Sequence, residues 1–342
     1  VVSSDGTTAG GLYGFKNRLI NGAMMIDQRN AGASVTANDA VFPVDRFQFS
    51  MTQSSKGTGQ RSTTAPVGFI NSLLFTSSST YSVLSSDSFV ISQRVEGLNV
   101  ADLGWGTASA STVTLSFWVR SSLTGTFGVV LSNSAQNRCY PVSYTISAAN
   151  TWEQKTITVT GDTSGTWLTD TGIGIRVNFG LGVGSTYSGA SGSWSGSTYT
   201  GVTGATSVVG TNGATFYITG VQLEAGSTAT SFDYRPYGTE LALCQRYYWK
   251  NSGSGTASGP SFAVGSSITA SSAYVQIHFP VQMRAIPTST ASSVVISDNH
   301  SYDISATYSS TLSSALSCSS YFTFASGATA YRPCFLRAAS SS

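Results

Sequence analysis

The chain has 342 residues and a formal net charge of +2, and only 9% of its residues are charged. An average soluble domain carries roughly a quarter, so hydroxyls and amides must keep this surface wet. With no cluster of Lys and Arg the sequence predicts no nucleic-acid partner. Lacking a run of ~18 apolar residues or a charged-then-apolar amino terminus, it also predicts no membrane insertion and no signal peptide.

Ser, Thr and Gly dominate, with 16 Tyr and 17 Phe among them. β-Branched and aromatic residues favour strands, and Gly and Ser supply turns. The length exceeds what one core usually organises, so the reading is an all-β chain of two domains. Residues 1–15 form a linker or attachment segment, 16–250 a β-sandwich, and 251–342 a smaller β-sandwich that leans on its neighbour or on other copies. The polar start, Val1 to Gly14, reads as a linker or a cut within a longer protein.

In chain order, Thr112 to Arg120 is the clearest strand. Val113, Leu115, Phe117 and Val119 fall on one face, with Thr114, Ser116, Trp118 and Arg120 on the other. Thr156 to Thr160 and Gly172 to Phe179 repeat the alternation. A long stretch, Gly180 to Gly213, then runs rich in Gly, Ser and Thr, punctuated by Tyr187, Trp194 and Tyr199; a loop of that length in a compact domain is usually functional or disordered. Thr215 to Leu223 is a strand whose apolar phase changes at Gly220, which predicts a bulge. Thr239 to Lys250 reads as a helix with Thr239 as N-cap. Strand alternation resumes at Tyr274 to Val281. Cys139, Cys244, Cys318 and Cys334 are too scattered for a disulfide framework and read as core residues, a Cys318 to Cys334 pairing being left open.

Two stretches, taken in order, resemble bacteriophage tail-fibre proteins with carbohydrate-binding-like jelly-roll domains. The first is NRLINGAMMIDQRNAG (Asn17 to Gly32) followed by Val44-Asp45-Arg46-Phe47. The second is FYITGVQLE (Phe216 to Glu224), then Tyr234-Arg235-Pro236, ELALCQRYY (Glu240 to Tyr248) and FPVQMRAIPT (Phe279 to Thr288). Between them Leu115 to Arg120 (LSFWVR) is similar to a strand of family 4/9 carbohydrate-binding modules. The resemblance implies a jelly-roll first domain, homotrimeric assembly with other virion tail or baseplate proteins, location in the virion tail, and adsorption to a host surface glycan such as lipopolysaccharide or capsule. It carries over no catalytic residue.

Titratable groups are sparse, 15 acidic residues and two histidines, so the chain reads as a binding protein rather than an enzyme, with no cofactor and no metal. Asp298, His300 and Asp303 in a turn, and Asp162 and Asp170 about Trp167, are the weak cation candidates. Gln276-Ile277-His278 is similar to a triplet of jelly-roll alginate lyases, but the companion strands of those enzymes have no counterpart. Aromatic rings suit sugar faces better, at low entropic cost. Trp105, Trp152 and Trp167 read as packing at sandwich edges. The candidate ligand-binding residues are Trp194 as principal anchor, with Tyr187 and Tyr199 beside it on the long loop. Trp118 with Arg120 forms a second group, for which burial between subunits or under that loop is the competing reading.

Overall fold

Alternation along the strands becomes two stacked sheets. The computed structural model describes residues 16–250 and 278–287 in full, and the strands 263–269, 272–277, 294–297, 303–310, 317–324 and 333–338 by their backbone. In the first part the strands are β1 (Val35–Thr36), β2 (Phe47–Met51), β3 (Gly57–Ser62), β4 (Ser72–Ser77), β5 (Ser88–Glu96), β6 (Val113–Ser121) and β7 (Gly125–Ser132). They continue as β8 (Cys139–Ile146), β9 (Glu153–Val159), β10 (Ile173–Val183), β11 (Ser188–Gly189), β12 (Gly201–Val202) and β13 (Thr215–Ala225), before the helix α1 (Tyr237–Gln245).

A six-stranded sheet, ordered β1-β3-β4-β13-β6-β9, packs on a five-stranded one, ordered β2-β5-β10-β7-β8. This is the expected jelly-roll sandwich. Val113, Leu115, Phe117 and Val119 of β6 are all fully buried, and Phe117 meets Tyr144 and Phe179 from the opposite sheet at 5.1 Å between ring centroids. Such edge-to-face pairs add to the burial that drives the stacking.

The helix departs from its predicted bounds. It opens two residues before Thr239, just after Pro236, whose carbonyl accepts the first helical bond from Glu240 N (3.1 Å); proline's fixed φ suits a helix start. It ends at Gln245, so Tyr247, Tyr248 and Trp249 lie beyond it. Trp249 instead pairs with Phe279 at 5.7 Å.

Two compact units divide after Cys244. In the second, β14 (Ala263–Thr269), β15 (Ser272–His278), β16 (Val294–Ser297), β17 (Asp303–Ser310), β18 (Ser317–Phe324) and β19 (Pro333–Ala338) pair in the closed order β14-β15-β18-β17-β16-β19. His278 is exposed at the end of β15. The side chains of Gln276, Asp303, Cys318 and Cys334, and residues 1–15 and 298–302, lie outside the described residues, so the pairing of the two cysteines and the turn around His300 do too.

The amino-terminal segment is tied to the centre of the six-stranded sheet by one side chain. Asn17 donates from Nδ2 to Val221 O (2.9 Å), and its Oδ1 accepts from Leu223 N and Leu19 N (both 3.0 Å). All these groups are buried, and an orphaned buried donor or acceptor costs about 1–3 kcal/mol. Asn17→Ala should lower unfolding stability by about 2–3 kcal/mol in denaturant titration, with Asn17→Asp recovering only the acceptor half.

Candidate functional site

The long loop lies against the sandwich. Residues 184–206 lie over the outer face of the five-stranded sheet, where Val202 packs on Gly128 so closely that a Cβ there would sit 2.8 Å from it, and Ser88 Oγ meets Thr200 Oγ1 at 2.7 Å. The loop also closes the free edge of β8 by a reciprocal pair of backbone bonds, Cys139 N to Ser195 O (2.9 Å) and Ser195 N to Cys139 O (2.8 Å). Covering an edge strand this way removes a template for unwanted pairing.

Trp194 therefore does not stand free as an anchor. It folds back into a cluster with Trp105 (5.4 Å), Trp167 (5.5 Å) and Tyr140 (5.1 Å), and its Nε1 donates to Thr160 O at 2.9 Å. Three of the loop's glycines, Gly184, Gly189 and Gly201, serve close approach, and the Tyr199 ring lies directly against Gly189, leaving no room for a Cβ, whereas Gly192 and Gly204 stand in open space. Tyr187 sits in a short turn and accepts Thr200 N through its carbonyl (2.8 Å). Neither tyrosine makes a ring contact with Trp194 among the described residues, so the structure does not bring the three together. Nearby, buried Asp162 is clamped by Arg138, Nε and Nη2 each donating at 2.7 Å, so its charge is answered by protein; Asp170 caps the Gly172 amide (2.8 Å). Among the described residues no group of three potential metal ligands occurs.

Trp118 and Arg120 do come together with other rings, and the long loop does not cover them. They project from β6 on the outer face of the six-stranded sheet, each half-buried. Tyr217 stands opposite Arg120 in the neighbouring strand, and the guanidinium lies over its ring, 5.0 Å from the centroid. Arg120 Nε donates to Asn150 O (2.8 Å), which fixes the guanidinium in place. Trp152 reaches the same Tyr217 at 6.0 Å. Trp152 thus belongs to this face as well as to the strand entrance. Tyr217, an aromatic in the polar phase of the Phe216–Ile218 alternation, is the residue that sequence reasoning passed over.

The face extends past the predicted bulge. Register shifts between Thr219 and Gln222, where Gly220 takes φ +60. A Cβ on Gly220 would lie 2.6 Å from Phe69 Cζ and 3.1 Å from Trp118 Cδ1, so both rings lie over the bare glycine. Phe69 in turn contacts Phe232 (5.1 Å) and Tyr234 (5.5 Å). The result is one row of rings, from Trp152 and Tyr217 through Trp118 and Phe69 to Tyr234.

The row ends in a cavity of about 160 Å³ lined by Asn21, Met25, Phe69, Ile70, Tyr234 and Tyr237, among others. Its wall is held by Arg235, which donates to Leu19 O (3.0 Å), to Asn17 O and to the Glu240 carboxylate (3.3 Å). Tyr234 donates its hydroxyl to Gly68 O at 2.7 Å, and burial of that hydroxyl pushes its pKa up. Tyr234 and Tyr237 nonetheless present 59% and 60% of their surface to solvent. Apolar rings with a few convergent polar groups are the usual make-up of a small-molecule site.

No protein-family model and no curated protein matches the chain. Solved structures of similar architecture include the enzymatically active domain of tailspike protein 4 from bacteriophage CBA120, at 12% identity over 62% of this chain and TM-score 0.35. A putative sugar-binding protein from Bacteroides thetaiotaomicron is 12% identical over 61% of this chain and the whole of its own length, with TM-score 0.34. A family 11 carbohydrate-binding module from Clostridium thermocellum is 11% identical over 59% and 100%, with TM-score 0.29. The present chain spans only 22% of the tailspike structure. These are likenesses of sheet architecture.

Two outcomes follow from the geometry. Trp194→Ala should lower stability by about 3 kcal/mol, the low end for removing a packed aromatic, while leaving ligand binding unchanged; calorimetric melting read beside a binding isotherm checks both. Gly220→Ala should lower stability by about 1–2 kcal/mol, because a left-handed φ disfavours a Cβ, and should also splay Phe69 from Trp118, seen as a change in near-ultraviolet circular dichroism.

Proposed function

We propose that this chain binds glycans along the aromatic row on the outer face of the six-stranded sheet, and that it does so as a receptor-binding component of a phage tail rather than as an enzyme. One observation carries the reading. Trp118, Tyr217 and Trp152 share an accessible sheet face with Arg120, whose guanidinium is already held in place. A flat ring offers a rigid apolar surface to the C–H face of a sugar, and a fixed guanidinium offers donors to hydroxyls without losing rotamer entropy on binding. The phage assignment rests on the order of the tail-fibre-like segments from Asn17 to Thr288. As such a component the protein would act at the host surface, assembled as a homotrimer with other virion proteins.

A glycan array followed by binding of labelled protein to bacterial cells, with and without enzymatic removal of surface polysaccharide, tests the proposal. Trp118→Ala and Tyr217→Ala should each weaken binding about tenfold or more with little change in melting temperature, since both side chains are half-exposed. Unchanged binding in both variants would rule this face out. New reducing ends or unsaturated sugars in the incubation would mark an enzyme instead, and a single-chain mass at micromolar concentration would count against the trimer.

A further inference from the structure

The outer face of the five-stranded sheet carries three arginines in one cross-strand row. Arg94 of β5 stands directly opposite Arg176 of β10, and Arg46, at the start of β2, reaches across to donate to the Arg94 carbonyl through Nη2. Directly opposed residues on an antiparallel pair have Cβ atoms about 5 Å apart, and like charges there are destabilising. Arg46 adds a second cost, because its backbone sits at φ +74, a left-handed region that non-glycine residues seldom occupy. Conformations of that kind cluster at functional sites.

No ion pair among the described residues joins Arg94 or Arg176 to a carboxylate. Every ion pair there joins other residues: Arg18 with Asp102, Arg29 with Asp45, Arg138 with Asp162, Lys155 with Glu153, and Arg235 with Asp233 and Glu240. Glu96 lies two residues along β5 from Arg94 and has contacts of its own. Arg176 makes one hydrogen bond, from Nη2 to Ser134 O at 3.3 Å, while its buried Nε has no partner. Burial and the neighbouring Arg94 both push its pKa down, although a guanidinium stays charged in proteins. Beside the arginines the next register row is Gln48, Ser92 and Asn178. They are only 6%, 3% and 3% exposed.

The geometry points to an anion site here, in which Arg94 and Arg176 grip an oxyanion borne by a sugar and Gln48, Ser92 and Asn178 form the polar floor. Two guanidinium forks match a carboxylate or a phosphate by paired N–H···O bonds. The ligand class is therefore an acidic saccharide, a uronate or a sugar phosphate. The site lies on the opposite sheet from the aromatic row, so it stands or falls independently of that reading.

Sodium glucuronate, inorganic phosphate and neutral glucose, each titrated at constant ionic strength, test this by calorimetry and thermal melting. At least one anion should bind saturably and raise the melting temperature beyond the chloride control, with glucose inert at this site; which anion does so separates carboxylate from phosphate. Arg94→Gln, on an exposed side chain, should weaken that binding about tenfold, as Arg176→Gln should, and without anion it should melt no lower than the wild type because a like-charge contact is gone. Trp118→Ala should leave anion binding unchanged, and Arg94→Gln should leave neutral-glycan binding unchanged. Equal anion shifts in the wild type and in Arg94→Gln, no shift with either anion, or a lower melting temperature for anion-free Arg94→Gln would overturn the proposal.

Discussion

The bulge at Gly220 is the constraint on which the rest of the first unit depends. β13 runs through the middle of the six-stranded sheet, between β4 and β6, and one extra residue there reverses which side chains face the core. Before it Phe216 and Ile218 point inward; after it Val221 and Leu223 do. A bulge leaves backbone groups without ladder partners, and this one is satisfied from the amino terminus, by Asn17 and by the bond from Val221 N to Gly22 O at 3.0 Å. The backbone bonding of the central strand is thus complete only with the start of the domain docked on it.

The same phase change divides the outer face into two chemistries. On the far side of the bulge Gln222 and Glu224 point outward yet are buried, because the returning chain covers them: Thr230 donates to Glu224 from N (2.9 Å) and Oγ1 (2.7 Å), and Asp233 N donates to Gln222 Oε1 (2.8 Å). A buried carboxylate needs such donors. On the near side Tyr217 remains uncovered beside Arg120 and Trp118. The strap that hides one half of the sheet delivers Phe232 and Tyr234 to Phe69, so the row of rings is built partly from the covering segment itself.

Much of this was legible in the sequence wherever one strand decides its own outcome. The inward set of β6 and the bulge at Gly220 follow from a two-residue period and a break in it. Trp118 with Arg120 could be singled out because both occupy the polar phase of a strongly alternating strand. What could not be read was anything set by register between strands: that Tyr217 faces Arg120, or that Arg94 faces Arg176, depends on pairings about 80 to 100 residues apart in the chain. The long loop misled for a related reason. Its Gly, Ser and Tyr content is shared by adaptable recognition loops and by segments that must lie flat on a sheet, and only the tertiary contact of Tyr199 on Gly189 separates the two.

A charge-poor surface changes the weight of each charge that remains. With 17 Lys and Arg against 15 Asp and Glu over 342 residues, a solvent-facing guanidinium has few carboxylates within reach, and at physiological salt its field fades within about 8 Å. Local pairing must therefore be read residue by residue rather than from net charge. Arg138 and Arg235 have their carboxylates and act as clamps on the fold; Arg120 has a carbonyl and a ring; Arg94 and Arg176 have each other. Two sheets of one sandwich thus present different faces to solvent, one aromatic with a single held cation and one polar with opposed cations. Both arise from the residues that strand alternation leaves outside the core, where packing no longer dictates their chemistry.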